Sequence, residues 1–178
     1  RTEFQEYDSI TLSEGDALKF DLSSIATDKR PLRVIGNLPY NISTPIILHL
    51  LKNSELIRDM TFMLQLEVIQ RMVSKVGKRN YGRLSLMVQY YCEVEHLFNV
   101  ASSAFYPKPK VVSALVRLKP HHSTEIRAKD SDCLHTVIRT SLNQRRKTLR
   151  NSHRPINTED ILDRTTSNKD LSHQETAP

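Results

Sequence analysis

Residues 31–51 read PLRVIGNLPYNISTPIILHLL, a complete strand–turn–helix unit on which the fold reading rests. The apolar, β-branched run at 32–36 (LRVIG), entered from Pro31, predicts a strand. Thr44 followed by Pro45 is favoured N-terminal chemistry, so Thr44 is expected to cap a helix with Pro45 in its first position. Ile46, Ile47, Leu48, Leu50 and Leu51 make that helix apolar nearly all round, which predicts burial. Between strand and helix stands Asn37-Leu38-Pro39-Tyr40: a side-chain amide, a rigid turn and an aromatic face in succession.

Working outward, residues 9–14 (SITLSE) read as an earlier short strand ending at Gly15-Asp16. Residues 60–66 (MTFMLQL) predict a third strand, 67–73 a helix, 77–82 (GKRNYG) a basic loop and 84–91 a further apolar helix. Residues 94–100 and 111–118 predict two last strands with no helix between them, hence an antiparallel hairpin at one edge. Strands alternating with helices imply an α/β sheet with helices on both faces. A linker at 120–129 precedes Leu134, Val137, Ile138, Ser141 and Leu142 at helical spacing. Beyond Ser152 the chain turns polar, and the pattern there predicts a poorly ordered tail.

A chain of 178 residues, 38% hydrophobic and 26% charged, has the make-up of a globular domain with a small appendage. Neither a membrane-length apolar run nor a signal-peptide pattern is visible, and a start at Arg1 suggests a fragment. The net charge of +6 and a pI near 9.4 favour a polyanionic partner. Cys92 and Cys133 lack metal-ligand or CxxC spacing and read as reduced core thiols, which fits a cytoplasmic protein. The seven histidines form no ligand cluster, so no metal is expected.

Chemistry in open α/β sheets gathers at the carboxyl ends of strands. Asp16 and the Asn37–Tyr40 tetrapeptide both follow predicted strands. An aspartate there can accept a hydrogen bond from an adenine amino group, or it can simply close an Asx turn beside Gly15. The tetrapeptide suits an exocyclic amine, whose lone pair is delocalised into its ring. The Asn37 side-chain oxygen and the Leu38 carbonyl could accept both amine protons and favour a pyramidal nitrogen. Tyr40 would stack on the ring, and no strong base is needed. Equally, the four residues could be an ordinary turn with Tyr40 half-buried.

The longer string, residues 37–45 (NLPYNISTP), closely resembles motif IV of the ribosomal RNA adenine dimethyltransferases, the KsgA family. Residues 15–20 (GDALKF), 81–91 (YGRLSLMVQYY), 103–111 (SAFYPKPKV) and 143–152 (NQRRKTLRNS) match in order, so the resemblance covers roughly residues 9–152. It implies a Rossmann-like methyltransferase sheet that uses S-adenosyl-L-methionine to dimethylate N6 of adjacent adenosines. The target would be a hairpin loop near the 3′ end of small-subunit rRNA, in a cytoplasmic, monomeric enzyme of ribosome biogenesis working on a pre-30S particle. The implied domains are a catalytic part at 1–120, the start of a helical RNA-binding domain at 121–152, and the tail at 153–178.

By the same resemblance, Asp16 and Ala17 would contact the cofactor, and Asn37 would lie between cofactor and target amine. Leu38 would contribute its carbonyl, while Tyr40 and Phe105 would flank the flipped base. Lys108, Lys110, Arg145, Arg146, Lys147 and Arg150 would contact RNA phosphates. The chain departs from the family pattern in having four glycines and no GxG; the glycine-rich loop and the ribose-binding acid would lie upstream of Arg1. Poor cofactor binding and marginal stability are the expected consequences. Two other readings stay open: an inert rRNA-binding assembly factor of the same fold, and a large-subunit rRNA adenine methyltransferase.

Overall fold

The computed structural model describes residues 10–26, 30–121 and 128–143. The chain divides into two compact units, Arg1–Thr124 and Glu125–Pro178. In the first unit, β1 (Leu32–Asn37) leads through α1 (Ser43–Leu51) to β2 (Ile57–Gln65) and α2 (Leu66–Met72). Then come α3 (Arg83–Tyr91), β3 (Cys92–Val100) and β4 (Ser113–Pro120). The second unit contributes α4 (Ser131–Asn143), whose first turn is closed by the Asp130 carboxylate accepting from the backbone N–H groups of Asp132 and Cys133.

The sheet order is β1-β2-β4-β3. β1 and β2 run parallel because α1 carries the chain back across the sheet between them. β3 and β4 form the expected antiparallel hairpin, with β4 inserted beside β2 and β3 left at the edge.

Register explains where the core lies. Val34 pairs with Met60 and Gly36 with Phe62, while Met60, Phe62 and Leu64 pair with Leu118, Val116 and Ala114. All of these point to one face. Met60, Phe62, Leu64, Leu118, Val116 and Ala114 form one buried cluster with Ile46, Ile47 and Leu51 of α1, Ile69 and Met72 of α2, and Val88 of α3, and Val34 packs against it. Helices α1, α2 and α3 therefore cover one face of the sheet, and no described helix of the first unit covers the other, where the expectation was helices on both. The run 60–66 supplies the strand expected of it, buried on the helix side. Its alternate positions Thr61, Met63 and Gln65 are only half-buried, however, and Ile35 beside them is 75% exposed. Arg33 crosses this open face to Asp59 through two hydrogen bonds of 2.9 Å.

Two further expectations are corrected. Residues 10–14 form no strand and lie exposed. Their alternation puts Ile10 and Leu12 on one side, but an alternating segment becomes a strand only when a neighbour completes its ladder, and the four described strands do not pair with it. Helix α1 begins at Ser43, so Thr44 and Pro45 lie inside its first turn instead of at its cap. The Ser43 hydroxyl donates to the Tyr40 carbonyl at 3.1 Å, which holds the turn against the helix start.

Cys92 is buried at the start of β3, and burial pushes its thiol up to about 12. It stays protonated at neutral pH and serves as core filling, without nucleophilic chemistry. Cys133 is half-buried and also free.

Candidate active site

One end of the sheet collects the segments singled out from the sequence. Asn37, the last residue of β1, pairs with Met63, and Gln65, the last of β2, pairs with Ser113 at the start of β4. Val100, the last of β3, also pairs with Ser113. The Asn37–Tyr40 turn, the start of α2 and the 101–112 loop therefore all leave the sheet at this one end. The backbone N–H of Leu66 donates to the Val112 carbonyl at 2.9 Å, tying α2 to that loop.

Within the turn, Asn37 is exposed and Leu38 half-buried. The Ile42 N–H donates to the Pro39 carbonyl at 3.2 Å and closes the reversal into α1. Gly36 is closely packed: a Cβ there would stand 3.1 Å from Leu38 Cδ2 and 3.5 Å from Phe62 Cδ1, so a larger residue would press on both side chains. The Leu38 side chain thus lies back over the strand end, which fixes the peptide carrying its carbonyl.

The Tyr40 hydroxyl and the Ser113 Oγ are 2.6 Å apart, a bond across 73 positions of sequence. Ser113 is fully buried, and the sequence reading did not single it out. A buried serine hydroxyl without its partner costs about 1–3 kcal/mol. We expect Tyr40→Phe and Ser113→Ala each to lower stability, with a coupling of about 1 kcal/mol in a double-mutant cycle read by urea unfolding. Strictly additive effects would mean that the bond holds nothing.

Phe105 is half-buried with extended backbone, its N–H donating to the Ser102 carbonyl at 3.3 Å. Lys108 and Lys110 beyond it are exposed. Tyr106 is wholly exposed and was likewise not singled out; an aromatic inside the FYPKPKV string was its only signal.

Asp16 and Ala17 lie in a separate exposed turn. The Asp16 Oδ1 accepts from the Leu18 N–H at 2.9 Å, and its carbonyl accepts from Lys19 at 2.9 Å. That is the Asx-turn alternative in place, on an exposed residue. No hydrogen bond among the described residues joins Asp16 to Asn37. Arg145, Arg146, Lys147 and Arg150 lie outside the described residues, as does the 153–178 tail. Among the described residues no group of three or more His, Cys, Asp or Glu is placed to hold a metal ion. No described helix is long and apolar enough to cross a membrane.

The sequence profile of ribosomal RNA adenine dimethylases matches residues 1–176. The chain belongs to the ribosomal RNA adenine dimethylase family. It is 55% identical over 160 residues to the ribosomal RNA small subunit methyltransferase A of Pseudomonas syringae, covering 90% of this chain and 60% of that one. To the protein of the same name in Hahella chejuensis it is 53% identical over 162 residues, 91% of this chain and 59% of that one. The chain thus spans about 60% of the length of these relatives.

Among solved structures, a dimethyladenosine transferase from Plasmodium falciparum superposes with a TM-score of 0.71 at 31% identity, over 91% of this chain and 56% of that one. The 23S rRNA methyltransferase ErmE superposes at 0.59 and 23% identity over 77% of this chain and 53% of that one, a likeness of fold alone. The four-stranded mixed sheet is accordingly part of a Rossmann-like methyltransferase fold.

Proposed function

We propose that this chain carries the acceptor half of an enzyme that dimethylates N6 of adjacent adenosines in a 3′-terminal hairpin loop of small-subunit rRNA. The observation that supports this most is the convergence of the Asn37–Tyr40 turn and the Phe105 loop at one sheet end, with the Tyr40–Ser113 bond between them. The names of the 53–57% identical relatives favour the small subunit over the large. Substrate in this reading is rRNA within a pre-30S particle, met by a cytoplasmic monomer.

In the proposed reaction the target adenosine leaves its stack, and Tyr40 and Phe105 offset part of the unstacking cost by packing on the base. Asn37 Oδ1 and the Leu38 carbonyl accept the two amine protons and orient the nitrogen lone pair. Lys108 and Lys110, with Arg145, Arg146, Lys147 and Arg150, neutralise phosphates and set the register of the RNA without reading its sequence.

S-adenosyl-L-methionine supplies the methyl group when bound. Asp16, Ala17 and Asn37 are the residues we assign to it, and the exposed Asp16 carboxylate suits an adenine amine. The glycine-lined part of such a site has no counterpart among the described residues. Gly36 is packed by Leu38 and Phe62, whereas a Cβ at Gly15 would meet nothing within 4 Å.

The test is methyl transfer by a chain extended to the relatives' full length, given S-adenosyl-L-methionine and pre-30S particles lacking the modification. Nucleoside digestion followed by mass spectrometry should find N6,N6-dimethyladenosine at two adjacent positions. Methylation elsewhere, or none, would overturn the reading.

A further inference from the structure

The basic loop between α2 and α3 plays no part in the chemistry above, yet it is the most one-sided stretch of charge in the described chain. From residue 68 to residue 92 the sequence holds Arg71, Lys75, Lys78, Arg79 and Arg83 and no acidic residue. All five are exposed. Arg71 is paired to Glu67 at 2.6 Å, whereas Lys75, Lys78 and Arg83 form no ion pair among the described residues.

A solvated charge run is usually a floppy one, and this loop is anchored at both ends. The Gln89 side-chain amide, from within α3, donates to the carbonyls of Met72 at 2.6 Å and Ser74 at 2.9 Å. The fully buried Ser85 hydroxyl donates to the Arg71 carbonyl and accepts from the Gly82 N–H, the latter at 3.1 Å. Gly77 takes a φ of 85°, the left-handed conformation that glycine adopts without strain, and lets the loop reverse tightly. A loop held this way loses little entropy when it binds.

Its location is also informative. α2 starts at the site end of the sheet, where Leu66 is bonded to Val112. Seven helical residues span about 10 Å, so the loop begins about that far from the site. At about 3.4 Å per charge, a few nucleotides of a strand entering the site would reach it.

We propose that residues 75–83 form a second phosphate-contacting surface for RNA, which holds the substrate strand flanking the target. This rests on the reading of the chain as acting on RNA. The experiment uses the chain itself and a fluorescein-labelled RNA hairpin, with affinity read by anisotropy across a salt series. Replacing Lys75, Lys78 and Arg83 together by alanine should weaken binding and make the salt slope shallower by about 2, at about 0.7 per lost single-strand contact.

Gln89→Leu should weaken binding while leaving the slope unchanged, because the charges stay and only the anchoring goes. Circular dichroism checks that both variants keep the fold. An unmodified chain that binds, with a triple variant of equal affinity and slope, would overturn the loop assignment alone. Equal affinity for Gln89→Leu would overturn the claim that anchoring matters. An unmodified chain that does not bind the hairpin would sink the RNA reading and the loop with it.

Discussion

Asn37→Ala should slow methyl transfer by a factor of about 10²–10³ while leaving RNA affinity nearly unchanged. The magnitude follows from what is removed: one hydrogen-bonding group aimed at the reacting atom, comparable to the loss of one preorganised donor in an oxyanion hole. RNA affinity should survive because phosphate contacts supply most of it, and Asn37 is uncharged and sits at the tip of β1. Its side chain is exposed, so the substitution leaves no buried hole. Single-turnover methylation in a chain of the relatives' full length separates the two quantities. An unchanged rate would remove Asn37 from the mechanism. A parallel fall in rate and affinity would make it a binding residue instead.

Phe62→Ala should cost about 3–5 kcal/mol and come close to abolishing the fold. Phe62 is 1% exposed and lies mid-way along β2, paired to Gly36 on one side and Val116 on the other. Domains of this size are stable by only about 5–15 kcal/mol. The loss would also reach the site, since Phe62 lies beside Gly36 and belongs to the cluster against which Leu38 packs. Urea unfolding followed by circular dichroism gives the number. A midpoint shift equivalent to less than about 1 kcal/mol would mean that the cluster collapses around the hole more readily than its packing suggests.

Local signals carried most of the elements. The β-branched runs and the helical spacing after Pro45 are properties of neighbouring residues, and they place β1, α1 and α3 within a residue or two. The β3–β4 hairpin was legible because no helix-length run separates the two strand patterns. What needed the third dimension was not legible. The insertion of β4 beside β2 is a long-range choice that no local pattern encodes. One-sided burial depends on which alternate positions find a covering layer, and Thr61 and Met63 look alike in either case.

The site divides the same way. Asn37, Leu38, Tyr40 and Phe105 stand in recognisable strings. Ser113 is a single small polar residue whose partner is far away in the chain, and only the sheet register brings it under Tyr40. The cap at Thr44 was misplaced because a serine one residue earlier, bonded to the Tyr40 carbonyl, starts the helix sooner.

The four-residue turn joins two strands of different standing. Asn37 ends β1, an edge strand whose outer amides face no described neighbour, while Tyr40 is bonded to β4, which has a strand on both sides. Amide deuterium exchange should therefore change steeply across the turn. Outward β1 amides should exchange early, and those of β2 and β4 should persist until global unfolding. The residue proposed to hold the amine sits where the sheet opens first, and the ring proposed to hold the base is fastened where it opens last.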